Sequence, residues 1–193
     1  MNILCTICVR SGSKGLKNKN FLKIKSKYLT NYTLDSAVKS KLFNQISVST
    51  DSPKIKILKK MYKKILFINR PKHLAKNKSN KIDAIRHALI STENFTKKKF
   101  DIIFDLDATS PLRSIKDLKC ALKFFFKKNS DNLFSVNESR RNPYFNMVEI
   151  KKNTVQLIKK LKKTPFRRQD SPKTYDMNAS IYIWKRKILL KSN

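Results

Sequence analysis

The chain has 193 residues, enough for one domain that buries roughly 70% of its unfolded surface. With 40% hydrophobic and 10% aromatic residues it can build a core, which excludes a tail-like disordered protein. Its 45 Lys and Arg against 13 Asp and Glu give a formal charge of +32, so the surface attracts anions in a salt-dependent way; no run of about 18 apolar residues exists to span a membrane.

Such a charge raises nucleic acid as a partner. Lysine outnumbers arginine 36 to 9, however, and is spread along the whole chain, whereas bidentate phosphate and base recognition favours arginine. A Lys/Asn/Ile-biased composition with solvated faces gives the same picture, so a polynucleotide partner is not expected.

In chain order, residues 3–9 read as a first strand. The apolar run there is only about seven residues long and has no cationic lead-in, so we expect no signal peptide and a cytoplasmic protein. Cys5 and Cys8 fall three apart within that strand and point to opposite faces. With Cys120 they make no disulfide framework, and we read them as packing residues. His73 and His87 are too few for a His-rich metal site.

The next stretch, RSGSKGLKNKN (10–20), holds both glycines of the chain and four cations, and no acid precedes Asp35. Gly12 and Gly15 allow positive φ and a close backbone approach to a ligand, and Arg10, Lys14 and Lys19 add charge. The pattern suits a polyphosphate, although a tight turn carrying solvated lysines stays open. It matches neither GxxxxGK[ST] nor GxGxxG.

Helical spacing follows at 32–41, a strand at 45–50, helical spacing at 53–62 and a strand at 65–69. A loop at 70–80 leads to a helix at 79–91 with an Ile82, Ile85, Leu89 stripe, in which His87 reads as structural. A strand at 102–106 ends in FDLDATSPLR, placing Asp105 and Asp107 on one face. Such carboxylates suit Mg²⁺, orientation of a hydroxyl, or capping of the next helix, and the residues alone leave these open. The helix at 114–127 starts with Ser114 as N-cap and Asp117 three places on. A strand at 133–137 precedes an irregular region, 142–177, in which 145–150 and 154–158 look like a hairpin standing off the sheet. A last strand covers 180–184.

Alternating strands and helices predict an α/β fold: a mainly parallel, Rossmann-like sheet with helices on both faces. Ligands in such folds sit beyond the carboxyl ends of the strands, which selects the loops 10–20, 50–51, 70–80 and 107–113.

Six segments in order carry a resemblance: RSGSKGLKNKN (10–20), VSTDS (48–52), RPKHLA (70–75), DLDATSPLR (105–113), RRNPYFNMVE (140–149) and RRQDSPKTYDMNASIYIW (167–184). Together they resemble the acylneuraminate cytidylyltransferases, or CMP-sialic acid synthetases. Asp107, where sialate enzymes usually carry Gln, and the NPYFN and YDMNASIY wording lean toward the bacterial CMP-legionaminate branch.

The resemblance implies a fold of the nucleotide-diphospho-sugar transferase type with a projecting dimerisation hairpin. The whole chain would form one cytidylyltransferase domain, with 140–177 as a projecting dimerisation and substrate segment. It also implies transfer of CMP from CTP to a nine-carbon 2-keto sugar acid of the legionaminic or sialic type, with Mg²⁺, in a homodimer. By position, Arg10, Gly12, Ser13, Lys14, Gly15 and Lys19 match the triphosphate loop, with Lys19, Arg10 and Lys14 as catalytic cations. Asn20 and Arg70 match cytosine-recognising positions. Asp107 and Ser110 fall where the sugar acid is held, with Arg168 and Asn178 as partners from the projecting region, Arg168 serving a neighbouring subunit. The bland readings are an exposed loop cation for Arg70, a surface charge for Arg168, a bend for Asn178, and core packing for Tyr144, Phe145 and Tyr182.

Members of this family carry a later acidic D-x-D segment that holds Mg²⁺, followed by a closing strand and helix. This sequence ends at Asn193, and Asn77 sits where relatives usually carry Asp. We therefore expect metal binding to rest on the nucleotide phosphates and Asp107 or to be lost, and a sheet edge left uncovered unless a partner covers it. Two alternatives accompany the enzyme: a homologue that binds CTP without turnover, and a basic polynucleotide-binding protein.

Overall fold

The structure is a computed structural model that describes residues 1–12, 15–16, 18–76 and 78–191. Ser13, Lys14 and Asn77 lie outside the described residues. The chain divides into two compact units, one of residues 1–134 with 179 onward and one of residues 135–178.

A six-stranded sheet contains β1 (Ile3–Val9), β4 (Gln45–Thr50), β5 (Leu66–Asn69), β6 (Ile102–Leu106), β7 (Asn132–Glu138) and β10 (Tyr175–Lys185), the last two with residues 135–138 and 175–178 in the second unit. Their order is β5-β4-β1-β6-β10-β7. β1 pairs in parallel with β4 and β6, and β4 with β5, while β10 runs antiparallel to β6. A short ribbon, β2 (Lys23–Ile24) with β3 (Lys27–Tyr28), forms a separate two-stranded piece.

Among the described residues, five helices accompany the sheet: α1 (Leu29–Ser40), α2 (Ile55–Met61), α3 (Lys81–Thr96), α4 (Ile115–Lys127) and α5 (Arg186–Lys191). Strand alternation sorts the core into two faces. Cys5, Ile7, Val48 and Phe104 pack with Leu34 of α1 and Leu118 and Phe125 of α4. Leu4, Ile103 and Trp184 pack with Ile85 and Leu89 of α3 and Leu189 of α5. Cys5 belongs to the first face, and Cys8 packs against the second. Burial pushes the Cys8 thiol up to about 12 and the Cys5 thiol well above its ordinary value, so both are inert packing groups.

The predicted strands at 3–9, 45–50 and 102–106 match the observed ones, and the other elements differ in extent for identifiable reasons. α1 begins at Leu29, ahead of the expected start at 32, and its first turn buries the polar Thr30, Asn31 and Thr33, which no apolar stripe announces. α3 runs on to Thr96 because the buried Glu93 is paired by Arg186. α4 carries the expected capping box, with Ser114 accepting from the Asp117 amide at 3.2 Å and Asp117 accepting from Ser114.

One expectation about the backbone is corrected. Neither Gly12 nor Gly15 is among the residues with positive φ; among the described residues of that loop the left-handed one is Asn18, at φ 55°. Asparagine tolerates this region because its short polar side chain serves the local backbone.

The second unit contains the hairpin β8 (Val148–Lys151) and β9 (Thr154–Leu157), paired antiparallel. Lys152 and Asn153 both take positive φ, 49° and 62°, which is what a two-residue type I′ turn needs. Among the described residues no helix is long and apolar enough to cross a membrane.

Candidate functional site

A cleft of about 560 Å³ opens in the first unit where β1, β5 and β6 end. Its described lining comes from loops the strand-end rule selects: Arg10, Gly15, Leu16, Lys19 and Asn20 after β1, Arg70, Leu74 and Lys76 after β5, and Asp107 and Thr109 after β6. Asn80, Lys81 and Ala84 of the α3 entry complete the wall. Asn80 caps that helix by accepting from the Ile82 amide at 3.0 Å, so its positive end lies at the cleft.

The loop 10–20 is fastened at both ends. The Ser11 amide donates to Asp51 Oδ1 at 2.8 Å, and its hydroxyl donates to Oδ2 of the same carboxylate. Asn20, nearly buried, donates to the Arg10 carbonyl at 3.1 Å, and its own carbonyl accepts from Thr30 at 2.6 Å. Between these anchors Arg10 and Lys19 face the cleft. A Cβ built on Gly12 or Gly15 meets nothing within 4 Å, so the fold itself does not require glycine at either place.

Arg70 is 5% exposed. Its Nε donates to Ser49 Oγ at 3.0 Å and its Nη2 to the Ser49 carbonyl at 2.7 Å. β4 therefore holds its guanidinium against the cleft wall, which sets aside the reading of an exposed loop cation.

Asp105 and Asp107 share a face, as the i, i+2 spacing requires. Asp105 is wholly buried and accepts from Thr6 Oγ1 at 3.0 Å. Lys81 Nζ lies 2.7 Å from Asp105 Oδ2 and 3.7 Å from Asp107 Oδ2. Burial alone would lower the Lys81 pKa, but the Asp105 carboxylate outweighs it and holds the ammonium above its ordinary value. Asp107 accepts from the Thr109 amide at 2.8 Å and from its hydroxyl at 2.6 Å. Burial would raise its pKa, yet Thr109 and Lys81 leave it below the ordinary carboxylate range. Asp107 does not cap α4, whose cap is Ser114. Arg113 secures the loop from beneath, donating to Ser180 O at 2.7 Å and Thr33 Oγ1 at 2.9 Å.

The structure thus brings Arg10, Gly15, Lys19, Asn20, Arg70 and Asp107 together. Gly12 and Ser110 do not line the cleft; the Ser110 carbonyl accepts from the Arg113 amide. Arg168 and Asn178 belong to the second unit. There Arg168 donates to the Ser139 carbonyl at 2.7 Å and lines a groove of about 260 Å³ with Asn142 and Lys173. Asn178 bonds to Asn137 at 3.0 Å and Ser135 at 2.6 Å, side chains rather than a bend. Tyr182 stacks on Trp184 at 5.4 Å between ring centres. Sequence reasoning missed Lys76 and Lys81. The available signal for Lys81 was a carboxylate inside IIFDL, which burial makes intolerable without a cation nearby.

Among the described residues no three His, Cys, Asp or Glu side chains converge in a way that would hold a metal. Asp107 is the one carboxylate lining the cleft among them.

A family model described as "Cytidylyltransferase" matches residues 4–191. The post-translational flagellin modification protein B of Campylobacter coli is 45% identical over 191 residues, covering 99% of this chain and 80% of that protein. The CMP-N,N'-diacetyllegionaminic acid synthase of Campylobacter jejuni subsp. jejuni shows the same identity and coverage. Among solved structures, a CMP:2-keto-3-deoxy-manno-octonic acid synthetase complexed with CTP superposes with a TM-score of 0.69 over 98% of this chain and 76% of that one. At 16% identity that likeness is one of fold. By sequence, by the ordered strand-end loops and by architecture, this chain belongs to the cytidylyltransferase family.

Proposed function

We propose that the protein transfers CMP from CTP to a nonulosonic acid of the legionaminic type, releasing pyrophosphate. The observation that carries this reading is the cleft itself: five described cations, Arg10, Lys19, Arg70, Lys76 and Lys81, surround a strand-end hollow that holds one described carboxylate. That charge excess suits a triphosphate and an acidic sugar together. The choice of sugar rests on the 45% identity to a CMP-N,N'-diacetyllegionaminic acid synthase.

In this reading the sugar's anomeric hydroxyl attacks the α-phosphorus of CTP in line. The new O–P bond forms as the bond to the β-phosphate bridging oxygen breaks, pyrophosphate leaves, and the hydroxyl proton passes to solvent. The protein's work is to position reactants and offset charge. Lys19 and Arg10, with Lys14, neutralise the phosphates, Lys19 acting at the α-phosphoryl group. Gly12, Ser13 and Gly15 let the backbone approach them. Asn20 and Arg70 recognise the cytosine, with Arg70 preset by Ser49. Asp107 holds the sugar acid from the cleft wall and Ser110, outside that lining, from farther along the same loop, with Arg168 and Asn178 as partners and Arg168 serving a second copy in a homodimer.

Mg²⁺ fits this site as a companion of the nucleotide. A single cleft carboxylate plus substrate phosphates is a usual ligand set for it, and Asp107 is the residue that would hold it. Bound there, it would neutralise phosphate charge.

The test is pyrophosphate release from CTP and Mg²⁺ with N,N'-diacetyllegionaminic acid, alongside N-acetylneuraminic acid. Release that needs both substrates and favours the former is expected. CTP binding with no release from either sugar would contradict turnover.

A further inference from the structure

An anion-binding cleft that keeps a carboxylate in its wall poses an electrostatic problem. Asp107 repels the phosphates and the carboxylate of a sugar acid, and Asp105 lies just beneath it on the same strand face. Both charges need an offset that does not move away when ligands arrive.

Lys81 meets that need by being fixed at both ends. Its backbone opens α3, behind the Asn80 cap. Its Nζ sits 2.7 Å from Asp105, which is wholly buried and held in turn by Thr6. The ammonium also lies 5.0 Å from the centre of the Tyr182 ring, a cation–π distance. Two-fifths of the side chain remains exposed, at the cleft wall, and Asp107 Oδ2 is 3.7 Å away. A continuous series therefore runs from Thr6 through Asp105 and Lys81 to Asp107 and Thr109. Its buried end is tied to Thr6 and its other end faces the ligand space.

We infer that Lys81 is a positioning residue for the sugar acid, acting through Asp107: from 3.7 Å it holds that carboxylate in place and offsets its repulsion of anionic substrate. The inference rests on the function proposed above. If Lys81 were only a core staple, replacing the buried pair by neutral groups of similar size would leave kinetics untouched.

The experiment combines Asp105→Asn with Lys81→Met, removing the buried charge and its partner together so that neither is stranded. In variant protein confirmed as folded by its melting transition, KM for N,N'-diacetyllegionaminic acid should rise about tenfold while KM for CTP changes less than about threefold. In an Asp107→Asn background the same two changes should add less than about twofold, because the group through which Lys81 acts is already neutral. An unchanged sugar KM, or an equal further rise in the Asp107→Asn background, overturns the inference while wild-type turnover stands. Wild-type protein that binds no CTP and releases no pyrophosphate overturns the reading of the cleft and this inference with it.

Discussion

The two ends of β6 carry similar charged groups in opposite states. At its start Glu93 takes a two-pronged contact from Arg186 at 2.8 and 2.9 Å, the Phe100 amide at 3.1 Å and Lys99 at 3.1 Å. Asp101 beside it accepts from the Asn2 amide at 2.7 Å, and its carbonyl accepts from the Arg186 amide. Charges there are matched and the end is closed. At the other end Lys81 and Thr109 answer the two aspartates, while Arg10, Lys19, Arg70 and Lys76 line an open cleft with a single described carboxylate among them. The same residue types make structure where their charges are balanced and a binding place where they are not.

The largest effect expected at the open end is from Lys19→Met. It should lower pyrophosphate release by about 10²- to 10³-fold without moving the melting temperature, since loss of a cation that lines the cleft and packs little costs the fold little. Arg70→Ala mixes the two kinds of loss. Removing its bonds to Ser49 should cost about 2 kcal/mol of stability, and KM for CTP should rise by at least about tenfold. Arg70→Lys should not restore either, because an ammonium cannot reproduce the fork on Ser49. Urea unfolding together with initial rates separates these contributions.

Glu93→Gln probes the closed end and should do the reverse, costing about 2 kcal/mol while leaving kinetics unchanged. Burial pushes the Glu93 carboxyl up, but Arg186, the Phe100 amide and Lys99 outweigh it and hold it below its ordinary value. A folded pKa below the unfolded one means that stability is complete above the ordinary carboxylate range and is lost as pH falls through the folded value. The gap between wild type and Glu93→Gln should therefore be wide at neutral pH and narrow below about pH 4. Unfolding curves at several pH values read this directly. The smallest effect belongs to Gly15→Ala: stability within about 0.5 kcal/mol, since an added methyl meets only open space, and CTP affinity reduced about fivefold, near 1 kcal/mol. Equal CTP binding would show that the phosphates do not approach that backbone.

The parallel strands were legible because runs such as ILCTICV and IIFDL are apolar throughout, as strands covered on both faces must be. Ser114 and Asp117 likewise announced their helix start through a local pattern. What the sequence hid depends on groups brought together from afar. Lys81 looked like one lysine among 36 and became distinctive only where α3 sets it on Asp105. Arg70 matched a cytosine-recognising position, but nothing in the sequence showed that Ser49, on the neighbouring strand, would hold its guanidinium. Among the described residues of loop 10–20 the left-handed position is Asn18 rather than a glycine, and the rarity of glycine in the chain carries no information about backbone conformation. The extension of α3 rested on the Glu93–Arg186 pair, whose members are 93 positions apart.

The most direct test of the central claim is a crystal structure of the protein with CTP. The triphosphate should lie along residues 10–20 against Arg10 and Lys19, with the cytosine turned toward Asn20 and Arg70. A nucleotide seated outside the cleft, with those four side chains in solvent, would contradict the account.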